Sequence, residues 1–335
     1  MQGEHNLRLT SAEISVIWSA YQNNSFSVCV LEYFSANVDD LDVKLILKFA
    51  LDISQKNFEM SKEILEKANQ PIPVGFTKED VSSSAPRLFS DAFYLYYLKN
   101  MAKVGLSVYG VALATSAQSD VRFLLSQAIQ TSTELYNKTA ETLLSKGLFI
   151  RPPYLSTPDT VDFVDKNKYL GGLLNFNNRP LNVIEITHIG ANIDANTVGK
   201  VLLIGLAQVA KSKKVSDYCT RGSEIAKKDM KVLQDILTND DIPSPSSSDL
   251  EITDSTISPF SDKLIMFHTT LLIGSSISNY ATSSAASLRK DLAAAYLRIT
   301  AESAQFAKDG IDIMIKNEWM EQPPQVPDHK DLAKE

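Results

Sequence analysis

Three observations in this 335-residue chain predict an all-α fold built as two tandem four-helix bundles. The first is an internal repeat. Glu13-Ile14 returns as Glu185-Ile186 and Asn24 as Asn196 (185 − 13 = 172; 196 − 24 = 172). Phe89-Ser90-Asp91 returns as Phe260-Ser261-Asp262, and Pro152-Pro153 as Pro323-Pro324 (260 − 89 = 171; 323 − 152 = 171). An offset that holds from Glu13 to Pro153 means one folding unit written twice. The second is helical periodicity, with almost nothing that reads as strand. The third is connection length: two tight turns and one long crossover in each unit.

The first helix follows Ile14, Ile17, Tyr21, Asn24, Val28 and Leu31, and its copy follows Ile186, Ile189, Ile193, Asn196, Lys200 and Leu203. Steps of three and four place these side chains on one face, as a bundle requires. The second helix spans 41–67, with Ile46, Phe49, Ile53, Met60 and Ile64 in phase, and its copy spans 213–238. The third is expected to start at Pro86 and Pro259, since a first-turn proline sacrifices no helical hydrogen bond, with Ser258 as cap of the second copy. The fourth spans 120–146 and 291–316, with Leu292, Tyr296, Ile299, Phe306 and Ile313 in phase.

Short connections at 36–40 and 116–119 make their flanking helices antiparallel neighbours. The crossovers, 68–85 and 239–258, are long and rich in Pro and Ser. A 27-residue helix is about 40 Å long, and eighteen extended residues reach about 60 Å. Each crossover can therefore return along the bundle and start the third helix parallel to the second. The expected organisation is repeat 1 at 1–153, a linker at 154–180, repeat 2 at 181–324 and a polar tail at 325–335. Tyr154, Phe163 and Phe176 predict a linker lying across both bundles, which then pack as a pseudo-twofold pair.

The formal charge of −7, with no basic cluster, excludes a nucleic-acid groove. The most apolar run, Val201–Ala210, is half the roughly 20 residues that a membrane span needs. Met1–Thr10 is polar and carries no secretory signal. Cys29 and Cys219 are not equivalent in the repeat (219 − 29 = 190), so they predict two buried thiols in a reducing cytoplasm. No phosphate-binding G-x-x-x-x-G-K-[ST] loop occurs. The aromatic run Phe93–Tyr97 reads as core or interface, and His268 as a satisfied or surface histidine.

The segments 71–77 (Pro-Ile-Pro-Val-Gly-Phe-Thr), 85–91 (Ala-Pro-Arg-Leu-Phe-Ser-Asp) and 144–147 (Leu-Ser-Lys-Gly) resemble those of a known family. So do Pro259-Phe260-Ser261-Asp262-Lys263 and Ile315-Lys316-Asn317. The family comprises two-domain Bacillus proteins of unknown function related to spore coat protein F. The resemblance covers nearly the whole chain. It implies two tandem ferritin-like bundles, each with one long crossover, in a spore-forming bacterium. It implies no established activity and no catalytic residues.

A di-iron or di-manganese bundle needs a Glu on each of two helices and Glu-x-x-His on each of the other two. Hard divalent ions ask for such converging carboxylates and imidazoles. Repeat 1 lacks the set: no histidine occurs from Leu9 to Asp159, and its interior polar positions are the amides Asn24 and Asn57, with Thr131. With Asn196, these amides read as a structural polar core that must be hydrogen-bonded.

Repeat 2 offers Glu185-Ile186-Thr187-His188, a stripe that continues through Asn192 and Asn196, with Asp229 and Glu302 in register on the second and fourth helices. Glu185, His188, Asp229 and Glu302 are therefore the candidate metal ligands, for iron or manganese, in repeat 2 alone. Helix four supplies Glu302-Ser303-Ala304-Gln305 where a second Glu-x-x-His is needed, and Arg298 offers an ion pair instead. The leading expectation is a protein without cofactor or catalysis, in a structural or interaction role, associated with the cytoplasm of a sporulating cell or with the spore coat. Its expected contacts are repeat on repeat, with coat components or with copies of itself. The alternatives are a metal-binding redox protein with its site in repeat 2, and a small-molecule-binding bundle.

Overall fold

The computed structural model describes residues 8–155, 158–164, 167–172, 178–244 and 250–326. His5, His329 and Phe176 lie outside the described residues. Repeat 1 contains α1 (Ser11–Ala36), α2 (Leu41–Lys67), α3 (Asp91–Ala114) and α4 (Ser119–Ser145). Repeat 2 contains α5 (Val183–Val209), α6 (Lys213–Asn239), α7 (Asp262–Ala286) and α8 (Lys290–Lys316). Among the described residues there is no strand beyond two isolated bridges, Val81 with Phe260 and Phe89 with Ile252.

The helix starts are set by local chemistry. Thr10 and Glu13 form a capping box at α1, and Asn182 and Glu185 form the equivalent box at α5. The Asp40 carboxylate caps α2 through the N–H groups of Asp42 and Val43. The third helices start later than the prolines predict. Ser90 caps α3 through the Phe93 N–H, and Ser261 caps α7 through the Leu264 N–H. Ser258 caps no helix. The residues between proline and cap are extended because their backbone groups are committed to the other repeat, as the crossover bonds below show.

Two carboxylates per repeat fix the topology. Asp91, at the start of α3, accepts the Asp39 and Asp40 N–H groups of the α1–α2 turn at 3.4 and 2.8 Å. Asp262 does the same for Lys211 and Ser212 at 3.0 and 2.8 Å. At the opposite end, Glu13 Oε1 accepts the Ala117 and Gln118 N–H groups of the α3–α4 turn at 2.9 and 2.7 Å. Helices α2 and α3 therefore start at the same end and run parallel, as the crossover length predicts.

The two repeats meet through their crossovers. Ser82 N–H donates to Pro259 O (2.8 Å) and Thr253 N–H to Leu88 O (3.0 Å). Ser90 N–H donates to Glu251 O (3.2 Å) and Ser261 N–H to Asp80 O (2.9 Å). A shift of 171 turns the first bond of each pair into the second (82 + 171 = 253; 88 + 171 = 259; 90 + 171 = 261; 80 + 171 = 251). That exchange is the signature of a twofold, isologous contact. Tyr97 and His268 occupy the same repeat position (268 − 97 = 171) and touch each other, Oη to Nε2 at 3.1 Å, across the pseudo-axis.

One hydrophobic core runs through both bundles near this axis, joining Phe34, Phe89 and Phe93 to Leu202, Leu206 and Phe260. Each bundle keeps a smaller cluster at its far end, around Ile17 and Leu124 or around Ile189 and Leu292. The seam also breaks the symmetry where side chains demand it. Tyr33 packs edge-on against Phe260 at 5.2 Å, whereas its counterpart is Gly205 (205 − 33 = 172). A Cβ at Gly205 would stand 2.4 Å from the Phe89 ring.

Among the described residues, the linker aromatics Tyr154 and Phe163 do not make this junction. They are 85% and 86% exposed, against the expectation that they bridge the bundles. No described helix is long and apolar enough to cross a membrane.

Candidate functional site

Halfway along each bundle, the first three helices bring a polar side chain each into contact within the interior. In repeat 1 these are Asn24 of α1, Asn57 of α2 and Tyr109 of α3. Asn24 and Asn57 are almost completely buried. Asn24 Nδ2 donates to the Ala20 carbonyl at 2.7 Å and reaches Tyr109 Oη at 3.4 Å. Burial pushes the Tyr109 phenol up, while hydrogen bonds with Asn24 and Asn57 pull the other way.

The same positions in repeat 2 are Asn196, Asp229 and Tyr280 (196 − 24 = 172; 229 − 57 = 172; 280 − 109 = 171). Asn196 Nδ2 donates to Tyr280 Oη at 2.7 Å, and that phenol lies 3.3 Å from Asp229 Oδ2. The amides read from sequence thus belong to a duplicated cluster whose hub is a tyrosine. The hub was hidden in the sequence, because a tyrosine at helical spacing reads as core. Its recurrence at the repeat offset is the signal that finds it.

Asp229 is the one carboxyl among these side chains. It is buried, its Oδ1 has no hydrogen-bond partner, and no cation contacts it. Burial drives its pKa up from 3.8 to about 7; Glu302 adds to the rise, and the Tyr280 hydrogen bond, Lys228 and Arg298 only partly oppose it. Desolvation disfavours the charged form, so this carboxyl keeps its proton to a higher pH than an exposed aspartate does.

The four candidate ligands do not come together. Glu185 sits in the first turn of α5, where it accepts the Leu288 and Arg289 N–H groups at 3.1 and 3.0 Å. It also holds Arg179 in a two-pronged ion pair at 2.8 and 2.9 Å. Burial raises its pKa, but Arg179 and the backbone donors outweigh that and keep it lowered. Glu13 has the same turn-closing place in repeat 1, which marks Glu185 as architectural. Burial likewise raises Glu13, but the N–H groups of Thr10, Gln118 and Ala117 and the Thr10 hydroxyl prevail, lowering it to about 2.

Glu302 lies at the bundle surface and grips Lys228 at 2.7 and 2.8 Å. The half-buried His188 faces Ser283, Nδ1 to Oγ at 3.3 Å, and Ser283 also receives Asn192 Nδ2 at 2.7 Å. Among the described residues, no three His, Cys, Asp or Glu side chains form a group that could hold a metal ion. Sequence register placed the four on suitable faces. It did not show that Glu185 stands at the bundle's end or that Glu302 points to solvent.

The remaining reactive side chains are packed as structure. His268 is buried against Phe26 and Tyr97, and burial pushes its pKa down to about 3, so it is neutral. Cys29 and Cys219 are both buried, and burial pushes each thiol up to about 12. Neither is a thiolate nucleophile at neutral pH.

The family model described as "Protein of unknown function (DUF3231)" matches this chain twice, over residues 2–161 and 171–332. The crystal structure of a candidate spore coat protein from Bacillus halodurans C-125 aligns with it at a TM-score of 0.41 and 19% identity. That alignment covers 46% of this chain and 100% of the other. No curated protein matches.

Proposed function

The chain belongs to the DUF3231 family, and from that premise we propose that it is a non-catalytic bundle protein acting through its surfaces. One observation carries this reading: in both repeats the mid-bundle polar side chains are turned on one another. A catalytic or metal centre needs donor atoms left open towards a shared point. Here Asn24 and Asn57 turn to Tyr109, Asn196 turns to Tyr280, Glu185 closes a turn, and Glu302 is spent on lysine. Association with the spore coat is the role that the motifs shared with coat-related proteins support.

A second reading, a metal-binding redox site in repeat 2, is favoured by the unpartnered Oδ1 of Asp229. Elemental analysis of the purified full chain separates the two. The non-catalytic reading predicts far less than one iron, manganese or zinc per chain after dialysis against those ions. About one or two ions per chain, lost on His188→Ala, would replace it with the metal reading.

A further inference from the structure

The charge of this molecule is segregated by helix, and the segregation outlines a surface that the repeat–repeat contact only partly uses. Helix α1 carries no Asp, Glu, Lys or Arg from Ile14 to Leu31, and from Val104 to Ser119 α3 and the turn after it carry none. Neighbouring α2 is laced with charge, bearing Asp42, Lys44, Lys48 and Asp52 in its first half alone. The uncharged face of repeat 1 is thus the one formed by its first and third helices.

Near the crossovers that face is already an interface. Phe26 meets Phe267 at 5.5 Å, Tyr97 meets His268, and Lys99 reaches across to Asp194 at 2.8 Å. Beyond Lys103 the same α1–α3 face continues uncovered by any described residue. It forms a groove of about 370 Å³ with an α1 wall mostly of small side chains, among them Ala12, Ser15 and Ser19, and an α3 wall that includes Val108 and Val111. Beside it stands a ridge of Val104, Val108 and Val111, 43%, 51% and 70% exposed. These valines fall at i, i+4 and i+7, on one stripe of α3.

The duplication supplies an internal comparison. The positions equivalent to these valines in repeat 2 are Ser275, Asn279 and Thr282 (104 + 171 = 275; 108 + 171 = 279; 111 + 171 = 282). The helices are the same and the place in the bundle is the same, yet one copy shows water three valines and the other two hydroxyls and an amide. Helix formation does not demand the valines, since α7 forms without them. Their burial needs a partner.

We infer that this face of repeat 1 is the contact surface for a second copy of the chain, forming a twofold dimer. A twofold contact brings a patch against itself, so the patch must be self-complementary. A valine ridge lying beside a groove of small side chains meets that condition: each copy's ridge enters the other's groove. The absence of charge matters equally, because a twofold axis would bring like charges together in a chain of net charge −7. The surface is continuous with an interface already built from the same two helices. The inference rests on the interaction reading above and names its partner, but metal content tests that reading while molecular mass tests this one.

The experiment is the mass of the full chain by light scattering after gel filtration, at about 1 to 100 µM. One chain weighs 37.0 kDa, so the dimer is expected at 2 × 37.0 = 74 kDa. Val108→Asp puts a charge on the ridge and should return the mass to 37 kDa at concentrations where the parent chain is dimeric, with helicity and Tm unchanged. Asn279→Asp, the same change at the equivalent place in repeat 2, should leave the dimer intact. A 37 kDa parent chain at about 100 µM, or a dimer that survives Val108→Asp, would overturn the inference. So would assemblies dissolved by Asn279→Asp, which would place repeat 2 in the contact. Retention of a monomeric parent chain on neutral phosphatidylcholine vesicles, lost in Val108→Asp, would also overturn it by putting a lipid surface on the ridge.

Discussion

Asp229 makes the stability of repeat 2 depend on pH in a way that repeat 1 does not share, because Asn57 has its place there. The unfolded chain titrates this carboxyl near its ordinary value of 3.8, and the folded chain near 7. Below about pH 4 both states are protonated and folding pays nothing for the residue. Between the two values unfolding releases a proton, so each pH unit favours the unfolded state by about 1.4 kcal/mol. Over roughly three units the loss reaches about 4 kcal/mol, an order-of-magnitude figure, and it is constant above about pH 7.

Asp229→Asn installs the side chain that repeat 1 already accommodates and removes the titration. Its stability relative to the parent chain should therefore rise from about pH 4 to pH 7 and then level. Other groups also titrate, so the useful quantity is the difference between variant and parent at each pH. Thermal unfolding of the full chain, followed by circular dichroism, should show the Tm gap widening by at least about 5 °C between pH 5 and pH 8. The reverse change, Asn57→Asp, should impose the same slope on repeat 1. A flat gap for Asp229→Asn, or a loss of stability at pH 8, would refute the claim that this carboxyl is buried without a cationic partner.

Three further outcomes are expected. Glu13→Gln should cost about 1–3 kcal/mol at neutral pH, since its carboxylate serves two backbone N–H groups of a distant turn as well as its own cap. Glu13 is held down at about 2 from 4.5, so this difference between parent and variant should shrink as pH falls through that window in urea titrations. Gly205→Ala should cost about 1–3 kcal/mol and speed proteolysis at the crossovers, because the new Cβ meets the Phe89 ring. Asp194→Asn should destabilise by about 3 kcal/mol by stranding buried Lys99, and Lys99→Met combined with Asp194→Leu should recover most of that loss in chemical denaturation.

The duplication, the eight helices and the parallel run of α2 and α3 were legible in the chain alone. Helical periodicity and loop length are local properties, and they survive translation from sequence to structure. The buried amides Asn24, Asn57 and Asn196 were legible for the same reason, since each lies in an apolar stripe. The start of α3 was not. A proline at position 86 permits a helix, but backbone bonds to residues more than 160 positions away claim that segment first.

The candidate ligands stand apart for a related reason. Periodicity reports the face on which a side chain stands, not its height along the bundle or the direction of its last atoms. Glu185 and His188 share a face, but one closes the end of the bundle and the other meets Ser283. By itself the sequence determined which helices form and that they come in two equivalent sets. Only the tertiary structure decided which polar groups meet, because hydrogen bonds are satisfied between helices that are remote in the chain. The same physics separates Asn57 from Asp229: one position in the repeat, one neighbouring tyrosine, and a carboxyl whose charge the surrounding core disfavours.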